Sequence, residues 1–268
     1  MSPTHAPDSF SADRRIGAIG RVLLWTGGSV WIGRHVGRAE THAHYAIQVT
    51  LALDGEFLIR EADGDDWQRT RGAIVQSEVR HEFDGCRSTL CVIFVEPEGV
   101  YGRALRARYH GPLATDLPLN QAREANGRLA AAYAQGSSNA RLLQSAHSVL
   151  DNLTAVHAPL SSPDSRVTAA MQWIREHLSD AISLEDAAAS VHLSPSRFRH
   201  LFVAQTGISF RAYLRWARVE AAVGAAFAGK TWTEAAQDAG FTDSAHLSRT
   251  CRQMFGMNPS MLVPETAY

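Results

Sequence analysis

An alanine-rich helix, a short turn and a second helix are written twice between Ser183 and Pro259, and this internal repeat most constrains how the chain can fold. The first copy, LEDAAASVHLSPSRFRHLFVAQTG, runs from Leu184 to Gly207; the second, WTEAAQDAGFTDSAHLSRTCRQMFG, runs from Trp232 to Gly256. Phe198, Leu201, Phe202 and Gly207 recur as Leu247, Thr250, Cys251 and Gly256 at identical spacing. Small alanines let the second helix of each copy lie close on the first, so each copy reads as a helix-turn-helix unit. Two such units in one small domain could present helices to adjacent stretches of DNA major groove.

Local signals place the helix ends. Ser183-Leu184-Glu185-Asp186 is a variant capping box for the first scaffold helix. His192 and Gly240 occupy the two turns, where a left-handed backbone is expected; Gly adopts it freely, and His tolerates it better than a β-branched residue. Ser194-Pro195 starts the second helix with Pro where its missing N–H costs nothing, and Asp243 or Thr242 caps its counterpart. With Phe198, Leu201 and Phe202 facing inward, Ser196, Arg199 and His200 face out; in the second unit Ser244, Ala245, His246 and Arg249 do so. An arginine paired with guanine O6 and N7 contributes roughly 1–3 kcal/mol of discrimination. Arg197, Arg211, Arg215 and Arg252 are candidate phosphate contacts, and Arg218 could join them or pair with Glu220 or another carboxylate of the scaffold. The connecting helix, from about Phe210 to Ala228, is roughly 28 Å long at about 1.5 Å per residue, of the order of the about 34 Å between successive major grooves.

Charge gives this reading less help. From Asp164 onward there are ten Arg plus Lys and ten Asp plus Glu, against 16 and 17 upstream, so no globally basic domain exists. Phosphate binding depends on which face carries the charge, and the arginines fall on or beside the helices in question.

Residues 166–263 resemble the DNA-binding domain of the AraC/XylS family of bacterial transcription regulators, through SLEDAAASVHLSPSRFRHLF and AAQDAGFTDSAHLSRTCRQMFGMNPS. The resemblance implies that the helices at Pro195–Gln205 and Ser244–Phe255 enter the major groove. Base contacts would then fall to Ser196, Arg199 and His200 in the first, and to Ala245, His246 and Arg249 in the second. This chain departs from the family pattern twice. Cys251 stands where an aromatic core residue is usual, and Met261-Leu262-Val263 replaces the aromatic-basic ending after Asn258-Pro259-Ser260.

Upstream, residues 1–18 read as a polar, irregular tail. From Arg21 to about Glu96 the hydrophobic period is two. Val30 and Ile32 alternate with Trp31 and Gly33; Ile47, Val49, Leu51 and Leu53 share a face; Phe57 and Ile59 follow the turn Asp54-Gly55; Leu90, Val92 and Phe94 alternate with Cys91, Ile93 and Val95. This predicts a small antiparallel barrel. After Pro118 the period turns helical, with Leu142, Ala146, Val149, Leu153 and Val156 widened by Leu143 and Leu150, a stripe suited to a dimer interface or to packing on the barrel. SSPDS at Ser161–Ser165 reads as a linker, and Asp164 or Ser165 can cap a helix whose inner face carries Ala170, Met171, Ile174 and Leu178. The expected architecture is α+β: a cupin-like barrel with a helical extension over residues 1–160, and an all-α double helix-turn-helix domain over 164–268.

The segment from Gly37 through His42, His44 and Gln48 to Gly55 resembles the first cupin motif, with Gly72 and His81 hinting at the second. The resemblance implies metal ligation by His in cupin enzymes, yet Gln48 takes the carboxylate place; Glu40 could substitute if it shares a strand face with His42 and His44. Three readings stand: the histidines only hydrogen-bond in the barrel mouth; His42, His44, Tyr45, Gln48 and His81 line a small-molecule effector site; or they hold a metal. No metal or cofactor is assigned. Cys86, Cys91 and Cys251 lack metal-site spacing and read as free thiols. No apolar run approaches the roughly 18 residues of a membrane span, and no secretory signal is evident. The expectation is a cytoplasmic, effector-controlled transcription regulator, not an enzyme. Its partners would be promoter DNA, a second copy of itself and RNA polymerase. The competing reading is a metal-dependent cupin enzyme with a DNA-binding appendage.

Overall fold

The period-two segments become two facing sheets. In the computed structural model, residues 18–265 are described except 63, 65, 116, 118 and 155–163. The amino-terminal half contributes β1 (Ala18–Trp25), β2 (Gly28–Arg34), β3 (Arg38–His42), β4 (Ile47–Asp54), β5 (Phe57–Glu61), β6 (Gln68–Thr70), β7 (Gly72–Val75), β8 (His81–Asp84) and β9 (Thr89–Val95). Then come α1 (Val100–Arg108), β10 (Leu113–Ala114), α2 (Leu119–Ala134) and α3 (Asn139–Thr154). One sheet has the order β10-β7-β4-β9-β2-β1, the other β3-β8-β5-β6, and every pairing within these runs is antiparallel.

Alternation divides the large sheet between two cores. Ile47, Val49 and Leu51, with Cys91, Ile93 and Val95, face α1, α2 and α3. Ala52 and Leu90 face Phe57, Ile59 and Phe83 of the small sheet. Because both faces are covered, β4 is buried along most of its length, Gln48 and Thr50 included. The helical stripe is used within the chain: Leu142, Ala146, Val149, Leu150 and Leu153 are fully buried against the sheet. A second copy could not reach that face, so the dimer reading of this stripe is corrected to barrel packing; Val156 and most of the linker sequence lie outside the described residues. The sequence also gave no expectation of α1, whose short run carries only weak periodicity.

The carboxy-terminal half is α4 (Ser165–Glu176), α5 (Leu184–Ser190), α6 (Pro195–Thr206), α7 (Phe210–Phe227), α8 (Trp232–Asp238) and α9 (Ser244–Phe255). Asp164 caps α4 and Asp243 caps α9, while the capping box of α5 closes as expected between Ser183 and Asp186. A second capping box, Thr231 with Glu234, opens α8. His192 adopts φ +56° and Gly240 φ +78°, the left-handed turns inferred from the repeat. Phe198, Phe202, Leu247, Thr250 and Cys251 are buried, so the smaller Cys251 still fills its core position.

This half is not purely helical. After a single turn of tight helix at Pro259–Met261, β11 (Leu262–Pro264) pairs in parallel with β1, Ala18 opposite Leu262 and Gly20 opposite Pro264. Met261-Leu262-Val263 departs from the family's ending because those residues lead into and form a barrel strand. Glu265 fixes this end by ion pairs to Arg21 at 3.2 Å and Arg34 at 2.7 Å.

Gly256 ends α9 at φ +66° with its backbone against β3: a Cβ there would lie 2.1 Å from the Glu40 carbonyl oxygen, and Glu40 N–H donates to the Gly256 carbonyl at 3.0 Å. Gly207 ends α6 at φ +80° in open space. A Gly207→Ala variant should lose only the left-handed backbone preference, about 1–2 kcal/mol. Gly256→Ala should lose clearly more, because the docked strand must also move; chemical denaturation of both variants checks the order.

Candidate nucleic-acid interface and barrel cavity

Most of the side chains expected to face outward from the two units are exposed. On α6, Ser196, Arg197, Arg199 and His200 are exposed; on α9, Ala245, Arg249 and Arg252 are exposed. His246 is half-buried, its ring edge-on to Phe241 at 5.1 Å and its Nδ1 3.2 Å from the Thr242 hydroxyl. Arg252 donates to the Asn258 side-chain oxygen at 3.1 Å. Arg211 is exposed at the start of α7. Arg215 is exposed too, but it draws down the carboxyl of Glu78 on the barrel, against the upward push of burial. Among the described residues Arg218 forms no ion pair: it donates to the backbone carbonyls of Leu178 at 3.1 Å and Asp180 at 2.8 Å, binding α7 to the end of α4. The connector α7 has 18 residues, about 27 Å at about 1.5 Å per residue.

The inner side of the DNA-reading half is sealed against the barrel. Trp216 of α7 and Phe255 of α9 pack with Phe94 of β9 at ring separations of 5.6 and 5.5 Å, and Trp31 of β2 touches Phe255 at 4.9 Å. Arg175 of α4 bridges Glu96 at the end of β9 and the buried Glu220 of α7, the latter at 3.2 Å. Tyr45 donates to Glu98. Burial, and next the charge of Glu96, raise the Glu98 carboxyl from 4.5 to about 7. Glu220 is likewise raised by burial. Glu96 and Glu98 were not singled out from the sequence, and Glu220 was considered only as a partner of Arg218, whereas it pairs with Arg175.

The amino-terminal site residues separate into two groups. His42, His44, Gln48 and His81 come together, whereas Tyr45 turns the other way, between Tyr213 and Trp216. Tyr45 lies in the bend between β3 and β4, where its ring is taken up by Tyr213 and its hydroxyl by Glu98. Glu40 is exposed while His42 is buried: a register shift between Ala39 and His42 breaks the expected common face, and β3 ends before His44. Each imidazole donates from Nδ1 to a backbone carbonyl, His42 to Glu40 at 2.7 Å, His44 to Ala46 at 2.8 Å and His81 to Val79 at 3.0 Å. Burial, then the neighbouring imidazoles, hold His42 at about 3 and His81 at about 2; burial lowers His44 as well. All three rings are therefore neutral near pH 7.

Beside His42 and Gln48 lies a cavity of about 90 Å³. Its other walls are mostly apolar, and they come from both halves: Val92 and Phe94 from the barrel, Phe227, Phe255, Met257 and Leu262 from the DNA-reading half. Its lining, apolar with few polar groups, is that of a small-molecule site, although such sites are larger, at about 300–1,000 Å³.

A Helix-turn-helix domain family matches residues 187–263. The regulatory protein PocR of Salmonella typhimurium is 34% identical over 98 residues, covering 36% of this chain and 32% of PocR. The arabinose operon regulatory protein of Escherichia coli is 32% identical over 115 residues, covering 42% of this chain and 39% of that protein. The chain thus spans between a third and two fifths of the length of these curated relatives. Unsaturated fatty acid bound ToxT from Vibrio cholerae shares the fold at TM-score 0.55 and 12% identity, over 88% of this chain and 96% of that one. Fold and sequence together define a DNA-binding helix-turn-helix protein of mixed α+β architecture with an amino-terminal sheet domain. Within that class, the DNA-reading half is similar to that of the arabinose operon regulatory protein, as a regulator of the AraC/XylS type would be. Among the described residues, no helix is long and apolar enough to cross a membrane.

The raised Glu98 makes a measurable prediction. The folded state holds this proton more tightly than the unfolded chain, so its stabilising contribution is complete below about pH 4.5 and is lost as pH rises through about 7. Glu98→Gln keeps a neutral group beside Tyr45. The variant should melt higher than the parent at pH 8, show little gain at pH 5, and flatten the melting profile between them.

Proposed function

We propose that this chain is a transcription regulator that reads promoter DNA through α6 and α9 and responds to a small, largely apolar molecule bound between its two halves. Residues 1–160 act as the sensor and 164–268 as the DNA reader. Arg199 and Arg249 carry base recognition, with Ser196, His200, Ala245 and His246 around them. Arg197, Arg211 and Arg252 hold phosphates, and Arg215 joins them once its attraction to Glu78 is relieved. The protein works in the cytoplasm as a homodimer, through a face other than the buried stripe of α3, and has no enzymatic role.

The observation that carries the reading is the shared wall of the cavity. An engineered apolar cavity of about 150 Å³ holds benzene, so a space of about 90 Å³ must widen for an effector of many heavy atoms. Widening pushes on Phe227, Phe255 and Met257, which belong to α7 and to the end of α9. A ligand thereby acquires different affinities for two placements of the DNA reader, which is what coupling requires. The unsaturated fatty acid bound by ToxT is in keeping with an apolar effector here.

Sites bound across the genome supply the operator for the decisive test. On that operator, Arg249→Ala should weaken binding by about 1–3 kcal/mol and relax preference at one base pair, whereas Arg211→Ala should weaken all sequences alike and lower the salt slope by about 1. Fluorescence anisotropy across a salt series measures both; an unchanged footprint and affinity for Arg249→Ala would remove its assigned role. A thermal-shift screen of small apolar metabolites tests the sensor half, where a compound that raises the melting temperature and shifts operator affinity is the expected result.

A further inference from the structure

His42 and His81 face each other across the pairing of β3 with β8, and His44 closes the third side: the ring centres lie 4.1, 5.3 and 5.7 Å apart. One nitrogen from each ring lies within 4.8 Å of those of the other two. Because every Nδ1 donates to a main-chain carbonyl, Nε2 is left in each ring as the lone-pair atom, assigned from the hydrogen-bond network. The Nε2 of His81 is fully buried and has no hydrogen-bond partner among the described residues, an uncommon condition for an interior polar atom. The Nε2 of His44 is 3.0 Å from Gln48 Oε1, and Gln48 Nε2 donates to the Thr50 hydroxyl at 3.0 Å, an amide orientation that the hydrogen-bond network allows to be turned over. A lone pair on His44 requires that amide to present its NH₂, with the Thr50 hydroxyl donating to its oxygen.

We propose that His42, His44 and His81 form a binding site for one divalent transition-metal ion, and that occupancy of this site is linked to the docking of α9. Three neutral imidazoles, each oriented by a second hydrogen bond, suit the zinc and iron(II) class and leave further coordination positions open. Gln48 is the fourth polar group at hand, and no carboxylate lies in the cluster. Ligand nitrogens at about 2.0–2.1 Å from a tetrahedral ion lie about 3.3 Å apart, closer than the outer limit of the present spread, so the rings must draw together. His42 cannot do so alone: a Cβ on Gly256 would lie 2.9 Å from its Nδ1, and the same Glu40 segment accepts its proton and donates to the Gly256 carbonyl. Contraction of the cluster therefore acts on the end of the second recognition helix. The site does not rest on the apolar-effector reading, since the cavity could be empty of effector and the three rings would still ligate.

Full-length protein stripped with chelator and titrated with Zn²⁺ or Co²⁺ alone should bind one ion per chain at micromolar concentration or below. Cobalt should give the visible bands of nitrogen-rich coordination. His81→Ala and His42→Ala, with unchanged far-ultraviolet circular dichroism, should bind at least a hundredfold more weakly, whereas the exposed His110→Ala should bind as the parent does. X-ray absorption of the zinc-loaded parent protein should report three imidazoles, a measurement that stands even if a variant fails to fold. Millimolar or substoichiometric binding in the parent, or equal binding by His81→Ala, overturns the site. The linkage predicts at least a fivefold change in operator affinity on zinc loading, reciprocated in zinc affinity on adding DNA; binding of one ion with operator affinity unchanged overturns the linkage. An effector that shifts DNA affinity in metal-free protein would leave the apolar-effector reading standing in either case.

Discussion

The structure depends on the burial of Trp216 and Phe255 against Phe94. These rings belong to the connector helix, the second recognition helix and the central barrel strand, so one apolar contact joins three parts that are distant in sequence. Trp216 is almost fully buried, and the core of the DNA-reading half continues without a break into Tyr45, Ala46 and Phe94 of the barrel. Large aromatics supply most of the area in such a contact, and the edge-to-face meeting of Trp216 with Phe94 adds direction to it. The two halves therefore share a core instead of meeting at a wet, polar seam of the kind common between loosely coupled domains.

Polar groups at this junction are arranged around that apolar centre. Arg175 reaches acids from both halves, so the barrel and α7 are held through one guanidinium. Two buried carboxylates around one cation are costly unless the geometry and protonation are right. The raised carboxyl of Glu220 expresses that cost, while Glu98, raised by burial and then by Glu96, carries a proton that spares the junction a further negative charge. The junction is thus tuned to the balance of charge, while the outward faces of α6 and α9 are left to solvent.

Much of the helical half was legible because it is local. Capping residues, the Pro at the start of α6, the left-handed turns at His192 and Gly240 and the repeated core spacing are all set within a few residues, and each appeared where the spacing put it. The large sheet was legible for a related reason, since alternation survives on Val49, Ile93 and their neighbours even with both faces covered. What could not be read was pairing at long range. No local pattern says that Leu262 lies beside Ala18, that Arg175 meets Glu96, or that Arg218 spends its guanidinium on main-chain carbonyls. Around the histidines, the regular-strand assumption failed: the register shift before His42 turned Glu40 outward, and the bend between β3 and β4 sent Tyr45 to Tyr213 and Glu98. The three imidazoles nonetheless converge, because the pairing of β3 with β8 brings His81 opposite His42.

The parallel pairing of β11 with β1 also has a bearing on solubility. An edge strand with unsatisfied N–H and C=O groups is a template for association with other chains, and here the end of the same polypeptide occupies that edge over Ala18–Gly20. Leu262 and Val263 are apolar, and Glu265 secures them through two arginines of the barrel. If the DNA-reading half swings away far enough to pull this segment loose, it uncovers a sticky margin on the sheet. Release and self-association are then opposite faces of one event, and the molecule is safest in solution when its last strand stays home.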